Sequence, residues 1–307
     1  MQPSHGSQML GYRPSTRLHS RLQTQDHIIR VRSDIHNLPD FATHITLLDV
    51  AIPNSYEFLT GILDIMSACP ALEEVCLQLN GLFIAERGST LFCMPLPRVR
   101  RLSISSYKTP ILLPILINVP RLEMLCLDVE AWEAGLLHVP WGLRRLELIK
   151  SNPFVARAAL DASRDTLEDL ALRPEEATRI GTLELQRLRR LHTLRFMPSV
   201  YASFSSGTVT YTETILRACA QRVRTLQIEA SLFKALHTLI LVPGISTLTL
   251  MFRFYEFRAG RPIEEILCVD MPRSLLRTII LPNHCIQPLI DRLRDIFFQR
   301  RVSIQLE

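Results

Sequence analysis

The sequence predicts an α/β solenoid, in which short parallel strands line a concave face and helices return across the convex side. Three observations carry that prediction. The stretch Val119-Pro120-Arg121-Leu122-Glu123-Met124-Leu125-Cys126-Leu127-Asp128 reads as proline, one residue, then L-x-x-L-x-L. Near-copies of it recur through the whole chain. Proline stands two residues before the first apolar position at Pro70, Pro97, Pro120 and Pro243, and close by at Pro140 and Pro272. Its locked φ and missing N–H suit the point where a convex segment stops and a strand begins.

The apolar triplets number ten. They are Ile45/Leu48/Val50, Leu72/Val75/Leu77, Val99/Leu102/Ile104, Leu122/Leu125/Leu127 and Leu143/Leu146/Leu148. Then follow Leu167/Leu170/Leu172, Leu191/Leu194/Phe196, Val223/Leu226/Ile228, Ile245/Leu248/Leu250 and Leu276/Ile279/Leu281. Their first positions lie 27, 27, 23, 21, 24, 24, 32, 22 and 31 residues apart. Most of these fall in the ~20–29 spacing of leucine-rich repeats, and the longer ones predict loop insertions. The expected fold is a leucine-rich repeat solenoid, a horseshoe of about ten irregular repeats with parallel concave strands and convex helices. Side chains alternate along a strand, so Leu125 and Leu127 point inward while Met124, Cys126 and Asp128 point outward. The asparagine that usually follows the strand occurs only at Asn80, so the turns must satisfy their backbone groups in another way.

Taken in order, residues 1–40 form an N-terminal segment and cap, and residues 41–307 the repeat domain. Met1–Ser15, with Pro3, Gly6, Gly11 and Pro14, is expected to be disordered. Arg17–Val31 has scattered apolar residues that fit an edge strand or a short helix covering the first repeat. Leu38-Pro39 is expected to run straight into the first strand. Ser55–Ala68 places Phe58, Leu59, Ile62, Leu63 and Met66 on one helical face, with Asn54 or Ser55 as N-cap. Pro153–Ser163, Pro174–Arg190 and Thr208–Gln221 read as similar convex segments. Met197–Gly207 is a Ser-rich insertion with Tyr201 and Phe204. Ile286, Leu289, Ile290, Leu293, Ile296 and Phe297 make an amphipathic helix, which with a terminal strand through Val302, Ile304 and Leu306 forms the C-terminal cap.

Composition narrows the function classes. Hydrophobic content of 47% and a mean hydropathy of +0.15 supply a continuous core. The longest apolar run, Ile111–Val119, is interrupted by Pro114 and Asn118, so no membrane span is expected. Seven scattered cysteines with no C-x-x-C fit reduced thiols in the cytoplasm or nucleus. Cys76 and Cys126 hold equivalent outward positions but stand two repeats apart, too far for a disulfide. The net charge of +5 comes with acidic residues interspersed almost everywhere, whereas nucleic-acid binding needs a one-signed stripe. None of the nine histidines falls in H-E-x-x-H, and G-x-S-x-G, G-x-G-x-x-G and phosphate-loop patterns are absent. The expectation is a protein that is not an enzyme and takes no metal or cofactor.

The outward strand positions are the candidate site. They run Glu74 and Gln78, Arg101 and Ser103, Met124 and Asp128, Arg145 and Glu147, then Asp169 and Arg173, Thr193 and Arg195, Gln227 and Glu229, and Thr247 and Thr249. Strands ~4.8 Å apart would join them into one concave surface of mixed charge, which suits a protein or peptide partner better than nucleic acid. The alternative is that the charges neutralise one another across strands and serve only solubility. On that outward assignment, Arg145→Glu is expected to leave folding intact. The stretch Met251–Pro262 adds Arg253, Tyr255 and Phe257. Aromatics beside arginine are common interface anchors, although Phe252 and Phe254 could equally extend the inward row.

The chain resembles the leucine-rich repeat region of fungal, basidiomycete-type F-box proteins. The resemblance rests on h-x-P-x-L-x-x-L-x-L, as in Ala68-Cys-Pro-Ala-Leu72-Glu-Glu-Val75-Cys-Leu77, on the lead-in Arg17-Leu-His-Ser-Arg-Leu22, on Leu38-Pro39-Asp40, and on the first strand Ile45–Val50. In that family an F-box upstream of the lead-in binds the Skp adaptor of a cullin–RING ubiquitin ligase, and the repeats hold the substrate. The resemblance therefore implies a substrate-recognition module whose adaptor contact depends on an F-box upstream, since no box-like motif occurs in these residues. A free-standing repeat scaffold is the alternative, and an RNA-binding protein or enzyme using the aromatic–arginine stretch a more distant one.

Overall fold

The computed structural model of the chain describes residues 24–52, 56–79, 96–106, 119–129, 142–151, 153–174, 182–198, 205–229, 231–232, 244–251, 276–282, 287–298 and 301–307. Its frame is one eleven-stranded parallel sheet whose spatial order follows the chain. The strands are β1 (Leu47–Ile52), β2 (Glu74–Leu79), β3 (Arg101–Ser106), β4 (Met124–Val129), β5 (Arg145–Lys150) and β6 (Asp169–Leu172). They continue as β7 (Thr193–Phe196), β8 (Thr225–Glu229), β9 (Thr247–Met251), β10 (Thr278–Leu281) and β11 (Ser303–Leu306). Each sequence triplet sits at the same place in its strand: Leu48 pairs with Val75, Val75 with Leu102, and Leu102 with Leu125. Every member of all ten triplets is buried, from Val50 and Leu125 at 0% to Leu276 at 9%. At ~1.5–3 kcal/mol for each buried side chain, this row is the main source of stability. The fold is a leucine-rich repeat solenoid.

The upstream proline is explained by a turn. Leu72, Val99 and Leu122 each donate their N–H to the carbonyl three residues earlier, on Cys69, Leu96 and Val119, at 3.2–3.3 Å. Pro70, Pro97 and Pro120 thus occupy the second position of a β-turn, where their φ is already set and no N–H is required. Backbone satisfaction at the corner takes a repeating form. The Thr46 carbonyl accepts the N–H groups of both Glu73 and Glu74 at 2.9 Å, and the Glu73 carbonyl those of Arg100 and Arg101. The same two-to-one arrangement recurs at each junction up to Ser246, which accepts from Arg277 and Thr278. These corners need no asparagine ladder. Asn80 lies outside the described residues.

The described helices are α1 (Gln25–Asn37), α2 (Pro39–His44), α3 (Tyr56–Ala68), α4 (Pro153–Ala162), α5 (Thr182–Arg187), α6 (Ser206–Cys219) and α7 (Gln287–Phe298). α4, α5 and α6 pack successively on one another behind the sheet. The expected segment Pro174–Arg190 is helical at α5, and residues 175–181 lie outside the described residues. α6 begins inside the expected Ser-rich insertion: Ser205 is its N-cap and its Oγ accepts the Thr208 N–H at 3.1 Å. α7 buries Ile290 and Leu293 and packs on β11.

One expectation at the N-terminus is corrected. Leu38-Pro39 does not run straight into a strand; Pro39 opens α2, and β1 begins only at Leu47. Proline is well placed at the first helical position, where its missing N–H is not missed. Of the two readings of Arg17–Val31, the part from Gln25 onward is helical. Thr24 caps α1, which packs across α3 through Ile28 and Ile35, so helices cover the first repeat. α2 also crosses the expected boundary between residues 40 and 41. Among the described residues, no helix is long and apolar enough to cross a membrane.

Candidate functional site

The parallel register turns the outward positions into two rows along the concave face. The first row runs Glu74, Arg101, Met124, Arg145, Asp169, Thr193, Thr225, Thr247, Thr278 and Ser303. The second runs Cys76, Ser103, Cys126, Glu147, Ala171, Arg195, Gln227, Thr249, Ile280 and Gln305. The N-terminal and central strands therefore bear the charges, and the C-terminal strands bear hydroxyls and amides.

At the centre lies an ion cluster. Arg145 donates to Glu147 Oε1 from Nε at 3.0 Å and from Nη2 at 2.6 Å, and its Nε is 3.6 Å from Asp169 Oδ2. Arg195 donates from Nη2 to Glu147 Oε1 and from Nε to Asp169 Oδ1, both at 2.9 Å. Glu147 and Arg195 are two strands apart, and what lets them meet is Ala171 between them in the same row. Its small side chain is fully buried, and Arg195 spans β6 to reach Glu147. The Arg195 and Glu147 side chains are only 14% and 11% exposed. Burial alone would raise the Glu147 carboxyl, but hydrogen bonds and charges from Arg145 and Arg195 outweigh it and hold the group below its ordinary range. Burial likewise works against the charge on Arg195, and Asp169 with Glu147 raise its pKa instead. The cluster has two charges of each sign and is internally neutral.

Arg101 also pairs across strands, with Glu74 Oε2 at 3.2 Å, but it is well exposed. Ser103, Met124, Gln78, Asp128 and Arg173 are half-buried on the same face. A β-bulge after Leu127 sets Asp128 opposite Lys150 rather than Ile149; period-two reading could not place that lysine. Gln227 donates from Nε2 to Met251 Sδ at 3.0 Å. Glu229 is corrected as a surface candidate: it is 1% exposed and accepts a hydrogen bond from Ser231 Oγ at 2.8 Å. Glu147 is buried as well, beneath its two arginines. Arg253, Tyr255 and Phe257 lie outside the described residues. Cys126 points to this face as expected but is covered, and burial together with the Glu147 charge pushes its thiol up to about 12. Burial pushes Cys69 and Cys219 to about 11, and Cys76 likewise with added repulsion from Glu74 and Asp49. All four are free thiols. No three His, Cys, Asp or Glu side chains form a metal-holding group among the described residues.

No protein-family model matches the chain. No curated protein matches it either. Among solved structures it is similar to the leucine-rich repeat-containing protein LegL7 from Legionella pneumophila, with 14% identity, a TM-score of 0.48, and coverage of 90% of this chain and 85% of that one. A protein from Bacteroides fragilis is similar at 12% identity and a TM-score of 0.35, over 89% of this chain and 68% of that one. The assignment of the fold rests on the strand register and the buried triplets.

Proposed function

We propose that the chain is a non-catalytic protein-recognition module that holds a polypeptide partner against its concave face. The observation that carries this reading is the division of that face into two parts. The central charges satisfy one another, so they form a rigid neutral platform rather than a set of anchors. Beside it Thr193, Thr225, Gln227, Thr247, Thr249 and Thr278 present half-exposed hydroxyls and an amide, groups that can donate to or accept from a peptide. A partner bound there would be read by hydrogen bonds and by apolar contact with Ile280 and Met251. Nucleic acid fits less well, because Arg101, Arg145 and Arg195 are each paired with a carboxylate, and among the described residues these rows form no one-signed stripe.

The chemistry on this face also favours binding over catalysis. A nucleophilic cysteine needs a lowered pKa, and the two described thiols on this face, Cys76 and Cys126, are both pushed the other way. Glu147, held ionised by two arginines, is a poor proton acceptor at neutral pH. Free thiols fit the reducing cytoplasm or nucleus.

The finer form of this reading is a substrate receptor similar to the F-box repeat proteins, and it is supported by the sequence resemblance. The test has two arms. Affinity capture with the chain and with a Thr225→Arg/Thr247→Arg variant, followed by crosslinking mass spectrometry, should yield a partner crosslinked to β7–β10 and lost in the variant. Crosslinks confined to the helical side would overturn the concave-face reading. A pull-down with purified Skp adaptor tests the finer form: retention by these residues supports a ligase receptor, whereas an F-box upstream of them is needed for binding in the family they resemble, so the same pull-down is run with that upstream segment present.

A further inference from the structure

Among the described residues the sheet ends at β11, and the sequence of that strand is self-complementary. Among the described residues, β11 pairs with β10 on one side and with no strand on the other. Ser303 and Glu307 donate their N–H groups to Arg277 and Leu281 at 2.8 and 2.9 Å. By the alternation of a parallel ladder, the N–H and C=O groups of Val302, Ile304 and Leu306 therefore face the open edge. Residues 301–307 read Arg-Val-Ser-Ile-Gln-Leu-Glu. Reversed about Ile304, that segment matches itself in kind: Arg301 falls opposite Glu307, Val302 opposite Leu306, Ser303 opposite Gln305, and Ile304 opposite Ile304.

We propose that β11 is a dimerisation edge, pairing antiparallel with β11 of a second copy about a two-fold axis through Ile304. The phase of the ladder is the one such a pair requires. Ile304 would exchange both backbone hydrogen bonds with its counterpart, and Val302 with Leu306, all from groups that already face outward. The side chains agree as well. Val302 and Ile304 are half-buried against the core, and Leu306 is left 43% exposed at its end. In the pair these three would continue the apolar row of one copy into that of the other. Two Arg301–Glu307 ion pairs would close the ends. A symmetric, isologous contact of this type is the commonest way a chain meets its own copy. It also shields an edge that would otherwise template indiscriminate pairing. Joining the sheets edge to edge about such an axis turns both concave faces to the same side, so a dimer would present two recognition surfaces together. The contact is independent of what those surfaces bind.

The interface is small, so association belongs in the micromolar range. Sedimentation equilibrium of the full chain, taken up to about 100 µM, should show a species of twice 35.1 kDa. Arg301→Glu or Glu307→Arg alone should weaken dimerisation about tenfold, and the two together should restore it. Ile304→Pro removes the central outward N–H while leaving the β10 bonds of Ser303 and Glu307, and should give a monomer. Should that variant fail to fold, the exposed charge reversals still decide. A monomer at every concentration, or a dimer indifferent to both reversals, would overturn the proposal.

Discussion

Ala171 governs the chemistry of the concave face. A larger side chain there would lie in the path that Arg195 takes across β6 to Glu147. Since Arg195 is the partner of two poorly exposed carboxylates, Arg195→Met should destabilise the protein by about 3 kcal/mol, read as a lower urea midpoint. The sign of the pH effect follows from Glu147. Its folded pKa lies below the ordinary 4.5, so the stability it contributes is complete above that value and is lost as pH falls through the folded pKa. Urea midpoints measured between neutral pH and pH 3 should therefore fall less steeply for Arg195→Met than for the parent. A variant with an unchanged acid limb would show the cluster contributes nothing. The expectation that Arg145→Glu is silent is also reversed: it would place a third carboxylate beside Glu147 and Asp169. That all four residues face outward was legible from the strand period. Which of them meet was not, because Glu147 and Arg195 are 48 positions apart and only the register brings them together.

Among the elements, the helices show most clearly where local signals suffice. The apolar spacing in Ser55–Ala68 specified α3, and its Ile62, Leu63 and Met66 are buried as that spacing requires. The spacing said nothing about Gly61, a residue that disfavours helix interiors. Its role comes from α1: a Cβ at Gly61 would stand 2.7 Å from Ile28 Cγ2. Gly61→Ala should lower stability by about 1 kcal/mol despite alanine's better helix propensity. In an Ile28→Ala background the same change should instead raise stability, because the clash is gone and the propensity gain remains. Thermal melts of the four proteins check this, and a penalty of equal size in both backgrounds would exclude the α1–α3 contact as its cause. The corner before each strand has a similar logic. Glu73, Arg100, Glu123, Arg144 and Glu168 follow one another there with alternating sign, and Arg100 and Glu123 are 3.5 Å apart. A slip by one repeat would set like charges side by side.

At the scale of the whole molecule, stability passes from repeat to repeat, since each strand pairs in the sheet with its sequence neighbours and Arg195 reaches only one strand further. Leu125 is fully buried at the middle of that array. Leu125→Asp would place an unpaired charge there and should break cooperativity, so that repeats on either side unfold in separate steps. Hydrogen exchange followed by mass spectrometry would show β3–β5 losing protection first. A single transition at the parent's midpoint would mean that Leu125 does not occupy the inward row.

By itself the sequence determined the class of fold, the ten inward triplets, the turns that precede several strands and the positions of the main helices. Those are properties of spacing: a period of two puts leucines on one face of a strand, and a fixed repeat length stacks the strands in parallel. Tertiary structure alone decided that Pro39 begins a helix, that Glu229 is buried and that a bulge brings Lys150 opposite Asp128. It also decided that the central arginines are committed to carboxylates, Arg145 to Glu147 on its own strand and Arg195 to Glu147 and Asp169 on other strands. The reach of Arg195 to Glu147 depends on residues 48 positions apart becoming neighbours, and the others on how a segment seats against its surroundings, and neither leaves a mark on local periodicity.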